Sequence, residues 1–171
     1  MALKKVLIAY VSASGATDGI AHRIAADCIA YGAKPSLLDI SKNPQVKNYD
    51  AVIFGCGIRI GKWHKEGMDW LLSQKDYLVS TPFAVYSVGL KPATDDPNQH
   101  KQALSELQTN VDQLAPAKPL AQTVFAGWKN PEGFSKMESL QLKMYPIDYG
   151  DYRDWNVIDR WVKEIAPKLF A

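Results

Sequence analysis

The feature that most constrains this chain is an apolar run, Lys5-Val-Leu-Ile-Ala-Tyr-Val11, that stops abruptly at Ser12-Ala-Ser-Gly-Ala-Thr17 and then gives way to a helical pattern. An unbroken apolar run bounded by turn residues reads as a strand buried on both faces. In the loop, Ser12, Ser14 and Thr17 bring hydroxyls, while Ala13, Gly15 and Ala16 leave room for the backbone to come close. A strand, a short loop and a helix start aim backbone N–H groups and hydroxyls at one point, with the positive end of the helix dipole behind them. That combination suits a phosphate. The competing reading is a serine-capped turn without a ligand.

The rest of the chain repeats the strand-then-helix rhythm. A helix is expected from about Thr17 to Tyr31, with Ile20, Ala21, Ile24, Ala25, Cys28 and Ile29 on one face and Gly32 as its stop. Strands are expected at Pro35–Ile40, Ala51–Cys56, Pro82–Val88 and Leu120–Gly127. Helices fit around Met68, Leu71 and Leu72, from Asn98 to Leu114, and from Asp154 onward, where Pro167 is expected to end the last one early. Alternation at this pace predicts an α/β three-layer sandwich, a five-stranded parallel sheet with helices on both faces. A phosphate loop after the first strand points to the flavodoxin-like order 2-1-3-4-5, with a ligand at the carboxyl ends of the strands. Residues 1–171 are expected to form one domain carrying an insertion at about 128–152.

Bulk properties exclude several classes. The net charge is +2 with no dense Lys/Arg stripe, so no nucleic-acid partner is expected. Cys28 and Cys56 have neither CxxC nor zinc spacing and read as buried small hydrophobes in a reducing compartment. The amino terminus imitates a signal peptide, but its apolar part is short and a strand explains the same residues. No later stretch approaches the roughly 18 apolar residues of a membrane span. A cytoplasmic protein is expected, with peripheral contact at the inner face of the membrane left open. No Ser/His/Asp or Cys/His grouping emerges, so hydrolytic chemistry has no support. There is no GxGxxG and no Walker lysine, and only Asp39 could serve an adenosine ribose, so a mononucleotide is favoured over a dinucleotide. No basic residue within the loop would neutralise the phosphate.

The loop, together with Tyr49-Asp-Ala-Val-Ile-Phe-Gly-Cys-Gly-Ile-Arg-Ile-Gly-Lys-Trp-His64 and Phe83-Ala-Val-Tyr-Ser-Val-Gly-Leu90, resembles the flavodoxin-domain family over nearly the whole chain. Within it the similarity is greatest to the menaquinone-dependent protoporphyrinogen dehydrogenase branch. The resemblance implies FMN held by three segments. Ser12–Thr17 would take the phosphate; Ile58–Trp63 and Ser87, Val88, Gly89 and Leu90 would flank the isoalloxazine. It also implies an oxidoreductase that passes electrons from an apolar reduced substrate, such as a tetrapyrrole, to a quinone. The alternative is an electron-transfer carrier, without a substrate of its own, that docks on a redox-protein partner.

The second segment, read by itself, agrees with a flavin. Ile58, Ile60 and Trp63 could form a flat apolar wall, and Gly57 and Gly61 allow the backbone near a ring edge. Arg59, Lys62, His64 and Lys65 make the segment positive; a cation near the reducible ring would stabilise its anionic reduced form by up to about 3 kcal/mol at ~6 Å and an effective dielectric of ~20. Arg59 and His64 are therefore the candidate catalytic residues, His64 as a proton donor; a solvated side chain is the other reading for each. Finally, Phe134, Met137, Gln141, Met144 and Tyr145 form a helical stripe with Leu140 beside it. It either packs on the domain or forms a Met-containing lid over the flavin.

Overall fold

Alternate residues of the first strand, β1 (Lys4–Val11), enter two different cores, which is why its sequence shows no polar face. Val6 and Ile8 pack beneath one layer of helices, and Leu7 and Ala9 beneath the other. In the computed structural model, which describes residues 2–171, β1 is followed by α1 (Ala16–Ala30), β2 (Ala33–Asp39) and β3 (Ala51–Arg59). Then come β4 (Lys62–Trp63), α2 (Lys65–Ser73), α3 (Lys75–Leu78), β5 (Phe83–Gly89) and α4 (Pro97–Asp112). The chain closes with β6 (Ala121–Ala126), β7 (Trp128–Lys129), α5 (Lys136–Lys143), β8 (Gly150–Asp151) and α6 (Trp155–Leu169).

The long strands form a parallel sheet in the order β2-β1-β3-β5-β6, which is 2-1-3-4-5 when only the parallel strands are counted. β1 sits between β2 and β3, pairing Val6 with Pro35 on one side and with Ala51 on the other. The chain therefore reverses its direction of winding between β1 and β3, leaving a crevice at their carboxyl ends. One face is covered by α1 and α6, around Ile20, Ile24, Tyr86, Phe125, Trp161 and Ile165. The other is covered by α2, α3 and α4, around Phe54, Trp70, Leu71, Val85, Leu107 and Val111.

Three elements differ from the sequence expectation. Pro167 does not end α6, which runs to Leu169. A proline costs a helix the N–H it lacks; here Ile165, Ala166 and Leu169 are buried on the sheet, and the Phe170 N–H still donates to the Ala166 carbonyl at 2.9 Å. The third strand extends three residues further, to Arg59, and turns back through Ile60-Gly61 into β4. The insertion is not a bare loop: β7 pairs antiparallel with β8, Trp128 opposite Asp151, and α5 lies between them.

Candidate functional site

The loop after β1 ends at Gly15, whose φ of 90° is the left-handed conformation that glycine adopts without strain. Gly15 is the N-cap of α1 and supplies no side chain to the helix end. By contrast, Asp96, Ser135 and Asp154 cap α4, α5 and α6 with side-chain oxygens. The first N–H groups of α1 thus keep the unmet hydrogen-bonding capacity of any helix start. Both serine oxygens of the loop already accept a bond: Ser12 Oγ from the Gly15 N–H at 3.0 Å, and Ser14 Oγ from Trp128 Nε1 at 2.8 Å. Thr17, the first-turn hydroxyl, is buried against the same space.

That space is a cavity of about 340 Å³ across the carboxyl ends of β1, β3 and β5. Ser12, Ala13, Ser14, Ala16 and Thr17 line one end. Gly57, Ile58, Arg59, Ile60, Gly61 and His64 line a second side, and Ser87, Val88, Gly89 and Leu90 a third. Two of the expected residues stand apart from the lining. Gly15 lies behind the loop, against the Trp128 ring. Trp63 turns into the sheet: its indole donates to Ser87 Oγ at 2.6 Å and its ring meets Phe54 edge-on at 5.8 Å. It supports the β5 wall from behind, leaving Ile58 and Ile60 as the apolar face of that segment. Ile60 has a φ of 49° in the two-residue turn between β3 and β4, a strained conformation for a β-branched side chain.

Electrostatics divide the two candidate catalytic residues. Arg59 forms a fork with Glu138 of α5, Nε to Oε1 and Nη2 to Oε2 both at 2.9 Å. Its guanidinium also lies 4.8 Å above the Phe134 ring. The Arg59 hydrogen bonds, with the Ser135 N–H, hold the Glu138 carboxyl down at about 2. The charge that Arg59 shows the cavity is therefore largely compensated. His64, the N-cap of α2, has its pKa lowered, chiefly by burial and further by Arg59, with Glu66 opposing. The lowering favours the neutral imidazole, which lines the cavity.

The insertion supplies walls that sequence reasoning did not assign. Trp128, Asn130 and Leu142 line the cavity beside Phe134, Gln141 and Tyr145 of the expected stripe, and the Lys91–Glu106 ion pair lines it from the α4 side. Met137, Leu140 and Met144 instead face solvent, so the stripe divides between cavity wall and surface. Lys129 is almost fully buried and donates to the Tyr145 and Ile147 carbonyls at 2.8 and 2.6 Å, tying down the far end of α5. Arg153 lies against the first turn of α1, its guanidinium 4.4 Å above the Trp128 ring and bonded to Asp151 at 2.7 Å. Proximity of Trp128 to the end of the fifth parallel strand was the one signal available for it. Among the described residues no group of three His, Cys, Asp or Glu side chains could hold a metal ion, and no helix is long and apolar enough to cross a membrane.

Comparison with known proteins agrees with this fold. The family described as Flavodoxin domain matches residues 7–147. The protoporphyrinogen IX dehydrogenase [quinone] of Escherichia coli (strain K12) is 26% identical over 179 residues, covering 95% of this chain and 94% of that protein. Among solved structures, oxidised flavodoxin 2 from Bacillus cereus superposes with a TM-score of 0.59 at 19% identity, over 96% of this chain and 99% of that one. A short-chain flavodoxin associated with a non-canonical PDU bacterial microcompartment gives 0.61 at 13% identity, over 98% of this chain and 99% of that one. At these identities the structural likeness establishes the fold alone.

Proposed function

This chain belongs to the flavodoxin-domain family, and on that premise we propose that it is an FMN-dependent oxidoreductase passing electrons from an apolar reduced substrate to a quinone. The observation that carries the reading is the meeting of an uncapped helix start, Ser12–Thr17, with an apolar crevice at the point where the sheet reverses its winding. The residues present fit the cofactor. Phosphate donors and an apolar slot lie at different ends of one cavity, and small residues keep the cradle open. A Cβ at Gly57 would come within 3.0 Å of Thr17 Oγ1, and one at Gly89 within 3.1 Å of Ile58.

Bound FMN would supply reversible two-electron redox chemistry through its isoalloxazine; the protein contributes position, electrostatics and exclusion of water. Ser12, Ala13, Ser14, Ala16 and Thr17 would hold the phosphate through N–H and O–H donors, with Gly15 providing the turn. Ile58, Ile60, Gly61 and Ser87–Leu90 would bracket the ring, and Gly57 would let it approach β3. Trp63 would act indirectly by holding Ser87. His64, its neutral form favoured by burial, would exchange a proton at a ring edge, and Arg59 would bias the reduced form only as far as Glu138 leaves its charge unbalanced. The α5 lid would exclude water from the space above.

The Escherichia coli relative, named for protoporphyrinogen and quinone, supports a reduced tetrapyrrole donor and a quinone acceptor. The test is anaerobic. Protein loaded with FMN is mixed with protoporphyrinogen and a menaquinone analogue, and quinol is followed as porphyrin forms. Steady turnover, one quinone reduced per electron pair, is expected. Full flavin loading without turnover would discard the substrate and favour a carrier; colourless protein that ignores FMN would discard both.

A further inference from the structure

We infer that Trp128 is a positioning residue for the cofactor phosphate: its indole N–H fixes the Ser14 hydroxyl as a donor into the cavity. The inference rests on the flavin reading above. A free serine hydroxyl turns about its Cβ–O bond and can present either a proton or a lone pair. At Ser14 the lone-pair side is taken, because Trp128 Nε1 donates to Oγ at 2.8 Å; at Ser12 the Gly15 N–H does the same at 3.0 Å. An oxygen that accepts from a fixed donor on one side keeps its proton for a partner on the other. A phosphate dianion offers only acceptors, so hydroxyls held in this sense, beside the free N–H groups of α1, match it. The loop itself contains neither Lys nor Arg, and donor orientation carries the recognition in place of a contacting cation.

Trp128 is clamped well enough for this task. Its ring lies across Gly15, where an added Cβ would come within 3.2 Å of Cζ2. Arg153 stacks on the ring at 4.4 Å and is itself held by Asp151, the residue opposite Trp128 in the β7–β8 pair. The indole cannot swing away without breaking that bracket.

Trp128→Phe keeps an aromatic ring for Arg153 to stack on while the N–H is lost, and any loss of packing against Gly15 is read by riboflavin, which shares the ring site but not the phosphate. FMN and riboflavin are titrated against wild type and variant by quenching of flavin fluorescence. FMN should bind the variant roughly tenfold more weakly, the worth of one charge-assisted hydrogen bond, while riboflavin, which has no phosphate, binds unchanged. In a Ser14→Ala background, Trp128→Phe should cost nothing further, since the two groups act as one unit. Equal losses for both flavins, additive losses in the double variant, or full FMN affinity in Trp128→Phe would each overturn the role of Trp128 and leave the flavin site standing. Wild-type protein that binds neither flavin would remove the underlying reading as well.

Discussion

At the scale of single residues, the turn at Ile60 sets backbone strain against a place on the cavity wall. A β-branched side chain in the left-handed region costs roughly 1–2 kcal/mol, and Ile60 is 41% exposed, so burial returns little of it. What the side chain gains is a place on the cavity wall. Ile60→Asn should therefore stabilise the apo-protein by about 1 kcal/mol, raising Tm by roughly 2–4 °C for a chain this size, while weakening FMN binding. A thermal scan and a flavin titration on the same preparation check both halves; a variant that loses stability would mean the turn is not strained. Residue positions were unevenly legible. That Ser12 and Thr17 line the cavity follows from the strand-loop-helix pattern alone. Trp63 could not be placed that way, because an aromatic in a glycine-bounded turn has two faces to choose from, and the bond to Ser87 that decides the choice joins two strands.

At the scale of elements, the insertion is where sequence reasoning ran shortest. The helical spacing of Phe134, Met137, Gln141 and Tyr145 was visible, and so was a signal not exploited: Ser135 three residues before Glu138 is a capping box, and both of its bonds form. The ion pair from Glu138 to Arg59, across 79 residues of sequence, has no local signature. It makes α5 a latched element, and the pKa of the latch sets its pH range. The folded carboxyl lies at about 2, below its ordinary value. Its stabilising contribution is therefore complete above the ordinary carboxylate range and is lost only as pH falls toward about 2. Hydrogen exchange in 136–143, corrected for intrinsic rates, should show equal protection at pH 7 and pH 5. Glu138→Gln should expose the segment at both pH values with little change in Tm. Fraying of α5 in the wild type by pH 5 would contradict the latch.

At the scale of the whole molecule, the strand order and both helical layers were readable because a sheet buried on two faces writes continuous apolar runs, and helices on it write spaced ones. The crossover from β2 to β3 was less so: residues 40–50 cross with two short 3-10 turns instead of a full helix, held by Val46 N–H to Gln74 Oε1 and Trp70 Nε1 to the Pro44 carbonyl. The two cysteines report on this architecture. Burial pushes the Cys28 thiol up to about 12 and Cys56 higher still, and only the thiolate reacts readily. Neither should react with a disulfide reagent at pH 8 until the domain opens globally, so labelling should track the unfolding curve followed by circular dichroism. Fast labelling of one thiol in the native protein would reveal an opening confined to one layer.

The cavity draws on one rim of the sheet only. The segments after β1, β3, β5 and β6 all contribute to it, whereas the connections at the opposite rim, Tyr31–Gly32, Val79–Pro82 and Gln113–Leu120, contribute nothing. Drift in those far connections should leave the redox personality untouched. Retailoring toward a different electron partner needs only one edge rewritten, without disturbing the frame that carries it.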